Sequence, residues 1–207
     1  MIINLVDIND NMISTWKNEF SSYAEINIIN DSIFNIQTDA IVSPANSFGI
    51  MDGGLDGKIR DFFGIEIEDK IRMKIKNDYF GELPVGNAII TETDNHNIKY
   101  LITAPTMRVP ENVMNSINAY LSMRAILIMS EFNPQIKIIS IPGLCSLSGK
   151  MDFKIVARQM KVAYEKIILK NILYSHWREE KYLQDYMMCK IDHIPEDLEK
   201  YNFRHGT

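Results

Sequence analysis

The segment Asp39–Gly64, DAIVSPANSFGIMDGGLDGKIRDFFG, constrains this chain most: a short apolar strand runs into a glycine-rich loop that opens a helix. That order frees backbone N–H groups at a helix N-terminus. Gly49, Gly53, Gly54 and Gly57 carry no side chain that would hold an anion away from them. Asn46 and Asp56 flank the loop with polar groups. A plain strand-to-helix turn has the same spacing, so the loop alone leaves both readings open. Its glycines match neither G-x-G-x-x-G nor G-x-x-x-x-G-K-[ST], so neither an ordinary dinucleotide fingerprint nor an ATP-hydrolysing P-loop is supported.

The chain's 207 residues, 46% of them hydrophobic and 24% charged, suit one well-cored domain with room for an appendage. A net charge of -5 argues against an extended nucleic-acid-binding surface, which would cluster Lys and Arg along the phosphates. Cys145 and Cys189 stand far apart without C-x-x-C spacing, so neither a disulfide framework nor a structural zinc site is indicated, and a reducing cytoplasm is the expected setting. His96, His176, His193 and His205 are scattered, and no metal site is expected. The N-terminus MIINLVDIND lacks a basic n-region, and no apolar run is long enough to span a bilayer. A soluble protein with no membrane partner is expected.

Ile- and Val-rich runs predict strands at 2–8, 25–30, 39–43, 87–92, 98–104 and 136–141, most of them continuous rather than alternating, as in strands buried on both faces. Helical spacing predicts helices at 54–63, 66–80, 112–132 and 152–170. A further helix capped by Asp10 or Asn11 should run through Trp16 to Tyr23. This alternation implies an α/β fold with a mostly parallel sheet covered by helices. Beyond Asn171, Trp177, Leu183, Tyr186 and Met187 fall near helical spacing, which predicts a helix packed on the domain, and the polar end carrying Pro195 and Gly206 should fray.

Ligands of open α/β sheets bind beyond the carboxyl ends of the strands. Three strands end in unusual loops: Pro44-Ala45-Asn46 with the glycine run, Pro105–Pro110, and Pro142-Gly143-Leu144-Cys145-Ser146-Leu147-Ser148-Gly149. All three should converge on one crevice. A second Gly/Ser-rich turn facing the first would supply the donors that two linked phosphates need.

The stretch SPAN-x(5)-DGGLDGKIRDFFG, together with PGLCSLSG after the last strand, resembles the macro domain family, and YLITAPTMRVPENVMNSINAYLSMRAI resembles a bacterial and phage subgroup of it. The resemblance covers residues 1–172 and leaves 173–207 as a helical extension. It implies a three-layer α/β/α fold with a mixed, mostly parallel sheet. It also implies binding of ADP-ribose or an ADP-ribosylated substrate, no cofactor, and a monomer. In this reading Asn46 positions the distal ribose, Asp56 handles the attacking water, and Asp31, with Ser32 beside it, holds adenine. Ala45, Gly49, Gly53, Gly54, Leu55 and Gly57 form the first phosphate loop, and Gly143, Cys145, Ser146, Leu147, Ser148 and Gly149 the second. Phe153 is a stacking candidate, although an aromatic that starts an amphipathic helix is more often core, and Arg108 is a phosphate partner that could equally be structural.

The implied activity is hydrolysis of an ADP-ribosyl linkage or of O-acetyl-ADP-ribose. The alternatives are a non-catalytic reader or sponge and a phosphatase acting on ADP-ribose 1''-phosphate. Leu147 stands where the family has glycine, which predicts a strained left-handed backbone there. Plain alternatives attach to each polar residue: Asp31 as a turn aspartate, Asn46 as a loop brace, Asp56 as a first-turn acid stabilising its helix.

Overall fold

The computed structural model describes residues 1–171 and 177–193. The expected frayed end, with Pro195 and Gly206, and also His176 and His205, lie outside the described residues. The elements follow in the order β1 (Ile2–Asp7), α1 (Asp10–Phe20), β2 (Ile26–Asn30), β3 (Ala40–Ser43), α2 (Gly54–Phe63) and α3 (Glu66–Asp78). Then come β4 (Ile89–Glu92), β5 (Tyr100–Thr103), α4 (Asn118–Glu131), β6 (Ile138–Ile141), α5 (Phe153–Ile167) and α6 (Trp177–Met187). A single turn of 3₁₀ helix, Ile33–Asn35, follows β2.

The strands form one sheet in the order β2-β1-β6-β3-β5-β4. All neighbours are parallel except β4, which pairs antiparallel with β5 at the edge. Successive side chains of a strand point to opposite faces, and both faces here are apolar. Along β3, Ala40 and Val42 join a core with Trp16 of α1, Met123 and Ile126 of α4, and Met160 of α5. Ile41 points the other way, to Ile59 of α2 and Ile71 and Ile75 of α3. The result is the three-layer α/β/α arrangement, in which helices on both faces shield a mixed, mostly parallel sheet.

Two expectations about helix ends need correction. The helix expected from residue 112 begins at Asn118, because polar side chains capture the backbone before it can wind. Asn112 Oδ1 accepts from Met114 N (3.0 Å), Ser116 Oγ donates to Val113 O (2.7 Å), and Val113 N donates across to Gly149 O (2.9 Å). The cap of α1 is Asn9 rather than Asp10 or Asn11; its side chain accepts from Asn11 N and Met12 N. The extension's α6 packs on α5, and no described helix is long and apolar enough to cross a membrane.

Candidate functional site

The carboxyl ends of β1, β3, β5 and β6 open onto one cavity of about 310 Å³. One wall is the N-terminus of α2, with Gly53, Gly54, Leu55, Asp56 and Lys58. Another part of the lining is the loop after β6, with Gly143, Cys145, Ser146, Leu147, Ser148 and Gly149. Asp31, Ser32 and Phe34 also line it, as do Thr106 and Met107 of the third loop. The three loops therefore meet as their strand ends imply.

Each wall presents main-chain donors. The first intrahelical bond of α2 runs from Gly57 N to Gly53 O (3.0 Å), so the amides of Gly54, Leu55 and Asp56 have no partner among the described residues. A methyl group added at Gly53 or Gly54 would meet nothing within 4 Å, so the approach to those amides is open. The loop after β6 is held by Lys150 N to Leu147 O (3.1 Å) and Met151 N to Cys145 O (3.1 Å). The amides of residues 144–149 make no hydrogen bond among the described residues. Two sets of N–H groups without protein partners thus border one cavity, the kind of donor array that can hold an anion.

Asp56 sits in the first turn of α2 and borders the cavity. Its Oδ1 accepts from Ser43 Oγ at 2.5 Å, a bond made possible because Ser43, the last residue of β3, is fully buried beneath the helix start. Burial pushes the Asp56 carboxyl up to about 6, the Asp52 and Glu68 carboxylates add to the rise, and the Ser43 hydroxyl opposes it. Such a group gains and loses its proton near neutral pH, as an acid–base catalyst must.

Other expected residues lie elsewhere or do other work. The Asn46 side chain is spent on its own loop: Nδ2 donates to Ile50 O (2.7 Å), while Oδ1 accepts from Phe48 N (3.1 Å) and Ile50 N (3.3 Å). It braces the turn and does not line the cavity. Gly49, at φ +65°, packs against Ile71 and Ile75 of α3, where an added methyl would come within 2.8 Å. It is needed for packing, not for an anion. Ala45 and Gly57 are buried behind the cavity, and Phe153 packs on the core as the first residue of α5. Arg108 turns outward, with a two-point pair to Glu82 (2.8 and 2.9 Å) and its guanidinium 5.1 Å from the Phe48 ring centre. Asp31 lines the cavity while also holding its turn, accepting from Ser32 N (2.6 Å) and Asn35 Nδ2 (2.8 Å).

Leu147 is not in the left-handed region, contrary to expectation; Cys145 (φ 65°) and Lys150 (φ 54°) are. Leu147 is 70% exposed at the rim, so its side chain costs the backbone nothing. The tight position is Gly149, where an added methyl would lie 2.6 Å from Cys145 O and 2.7 Å from Val113 Cγ2. The buried Cys145 thiol, pushed up to about 12 by burial, is no nucleophile.

Asp7, Lys58 and Phe34 also line the cavity, though none of them is among the residues expected there. Asp7 closes β1 and accepts from Gly143 N (3.2 Å) and Asn9 N (2.9 Å), tying β1 to the second loop. An aspartate at the end of the first predicted strand could have been singled out by the same strand-end rule. Phe34 stacks on Phe62 at 4.7 Å between ring centres. Among the described residues no three His, Cys, Asp or Glu side chains gather as a metal site.

Residues 42–160 match the family model of the Macro domain, more than half of the chain, and the chain belongs to that family. An uncharacterised protein of Aquifex aeolicus is 32% identical over 136 residues, which are 66% of this chain and 78% of that one. Another, of Aeropyrum pernix, is 31% identical over 129 residues, 62% of this chain and 64% of that one. Among solved structures, the macrodomain of Mycobacterium tuberculosis DarG superposes with a TM-score of 0.57 at 18% identity, covering 66% of this chain and 87% of that one. A mutant macrodomain of Oceanobacillus iheyensis solved with ADPR gives 0.60 at 20% identity, covering 79% and 91%. At those identities the likeness is one of fold.

Proposed function

We propose that this macro domain binds ADP-ribose, or an ADP-ribosyl group on a larger substrate, and hydrolyses the bond at the distal ribose. The observation that carries the reading is the pair of uncommitted amide rows bordering one cavity with Asp56 at its edge. The diphosphate lies between the amides of Gly54–Asp56 and those of the loop at 144–149. Asp31 accepts from the adenine amino group at the other end. Above about pH 6, Asp56 is a carboxylate and takes a proton from a water as that water bonds to the anomeric carbon and the bond to the leaving group breaks. Ser43 holds the carboxylate in place throughout.

One observation favours a second reading, that of a reader that binds without turnover: the Asn46 amide is already engaged by Ile50 and Phe48 rather than offered to a ribose. Single-turnover assays on ADP-ribosylated protein, ADP-ribosylated nucleic acid and O-acetyl-ADP-ribose separate the two, with inorganic phosphate release from ADP-ribose 1''-phosphate as a further arm. The hydrolase reading expects turnover of one linkage that Asp56→Ala abolishes while ADP-ribose binding persists. Binding with no turnover on any arm identifies a reader.

A further inference from the structure

The C-terminal extension reaches the anion cradle through one buried side chain. Gln159 of α5 is fully buried and uses both ends of its amide. Its Oε1 accepts from Tyr120 N (3.1 Å), at the start of α4, and its Nε2 donates to Ser116 O (2.9 Å), in the segment before α4. The same Nε2 lies 3.5 Å from Met188 Sδ, just past the end of α6. The segment gripped by Gln159 in turn holds the second loop. Ser116 N and Oγ both donate to Val113 O, Val113 N donates to Gly149 O (2.9 Å), and the Val113 side chain fills the space a Gly149 side chain would need.

The neighbouring residue fastens the extension. The Arg158 guanidinium donates to Ile191 O (3.0 Å), Tyr186 O (3.5 Å) and Asp192 Oδ1 (3.2 Å) and lies 4.7 Å from the Tyr186 ring centre. The Arg158 side chain is only 7% exposed, so its bonds to the Tyr186 and Ile191 carbonyls are sheltered, while Asp192 meets it from the solvent side at 82% exposure. Glu19, also near it at 3.6 Å, keeps Lys161 as a second partner at 3.5 Å. α6 and the turn after it lie beyond residue 160, where the match to the family model ends, and Arg158 and Gln159 bring them into contact with the domain.

We propose that Gln159 is a positioning residue: it links the docked extension to the segment holding Gly149, so that docking of residues 177–193 sets where the second amide row stands. The consequence for affinity rests on the ADP-ribose reading above; the mechanical coupling does not. NMR-detected amide exchange on the unliganded full chain tests the coupling directly. Arg158→Leu unhooks the extension and Gln159→Met cuts the link at similar volume. Met188→Ala, changing only the extension, keeps the test available should either α5 variant fail to fold. Each is expected to lower protection at Val113, Tyr120 and Met151 by tenfold or more, while protection in β1 and β3 stays as in the parent. Titration of the same proteins with ADP-ribose is expected to show several-fold weaker binding. Reduced protection at those amides with no ADP-ribose binding by the parent supports the coupling and sinks the ligand assignment. Unchanged protection at Val113 and Met151 in Met188→Ala or Arg158→Leu overturns the proposal.

Discussion

The Ser43 hydroxyl donates a 2.5 Å hydrogen bond to the Asp56 carboxylate, joining the last residue of β3 to the first turn of α2. Ser43 is fully buried and Asp56 borders the cavity, so the bond ties the sheet to a cavity carboxylate whose proton affinity burial raises to about 6. The strand-to-helix turn that frees the amides thus also places the acid.

With the folded Asp56 raised to about 6 from an ordinary 3.8, the folded protein holds a proton between those values that the unfolded chain has released. Stability therefore falls as pH rises through that window and levels off above it, the reverse of a salt-bridged aspartate. Asp56→Asn removes the buried charge while keeping an acceptor for Ser43. It is expected to stabilise the protein at neutral pH by on the order of 1 to 3 kcal/mol and to abolish hydrolysis. Urea melts of both proteins across the window measure the first effect, and a turnover profile rising through about pH 6 in the parent accompanies it.

Ser43→Ala removes the hydrogen bond that lowers the Asp56 proton affinity against the effect of burial. The pH midpoint of turnover should move upward, and stability should drop by about 1 kcal/mol from the lost bond. A midpoint that stays in place means that the titrating group is not Asp56.

Two glycine substitutions separate ligand space from packing. Gly53→Ala adds a methyl group with nothing within 4 Å, on an extended backbone (φ -167°), so stability should hardly change while ADP-ribose binding weakens because the methyl borders the α2 amides. Gly149→Ala sets a methyl 2.6 Å from Cys145 O, a backbone atom that cannot step aside cheaply. Both stability, by about 1 to 3 kcal/mol, and affinity should fall. Thermal melts paired with calorimetric titrations distinguish the two patterns.

Asn46→Ala leaves Ile50 O, Ile50 N and Phe48 N without their side-chain partner. A loss of about 1 to 3 kcal/mol in denaturant melts is expected, with faster proteolysis within the loop at 46–50. If stability is retained and only turnover disappears, Asn46 acts on the ligand instead of the loop.

Much of this was legible in the chain. Continuous Ile/Val strands alternating with amphipathic helices fix the layered architecture, because both sheet faces must be covered, and the strand-end rule finds the cavity. What a linear pattern hides is which partner claims a polar group. Asn46 looks the same in sequence whether it meets a ribose or its own loop, and Gly49 looks like an anion glycine until Ile71 and Ile75 of a later helix press against it. Leu147 suggests strain where none exists, since the left-handed turn falls at Cys145 and Lys150. The start of α4 is missed because Asn112 and Ser116 bond backbone groups locally, an effect that apolar periodicity does not register. Asp7 escapes notice because its importance lies in Gly143, far along the chain.

In the proposed complex two amide rows, at the start of α2 and in the loop after β6, grip one diphosphate. Following the backbone amide resonances of the full chain during titration with ADP-ribose tests it most directly. Gly54, Leu55 and Asp56 are expected to shift together with Cys145, Ser146, Leu147 and Ser148 along one binding curve. Shifts confined to one row, or none in either row with ADP-ribose in large excess, would contradict it.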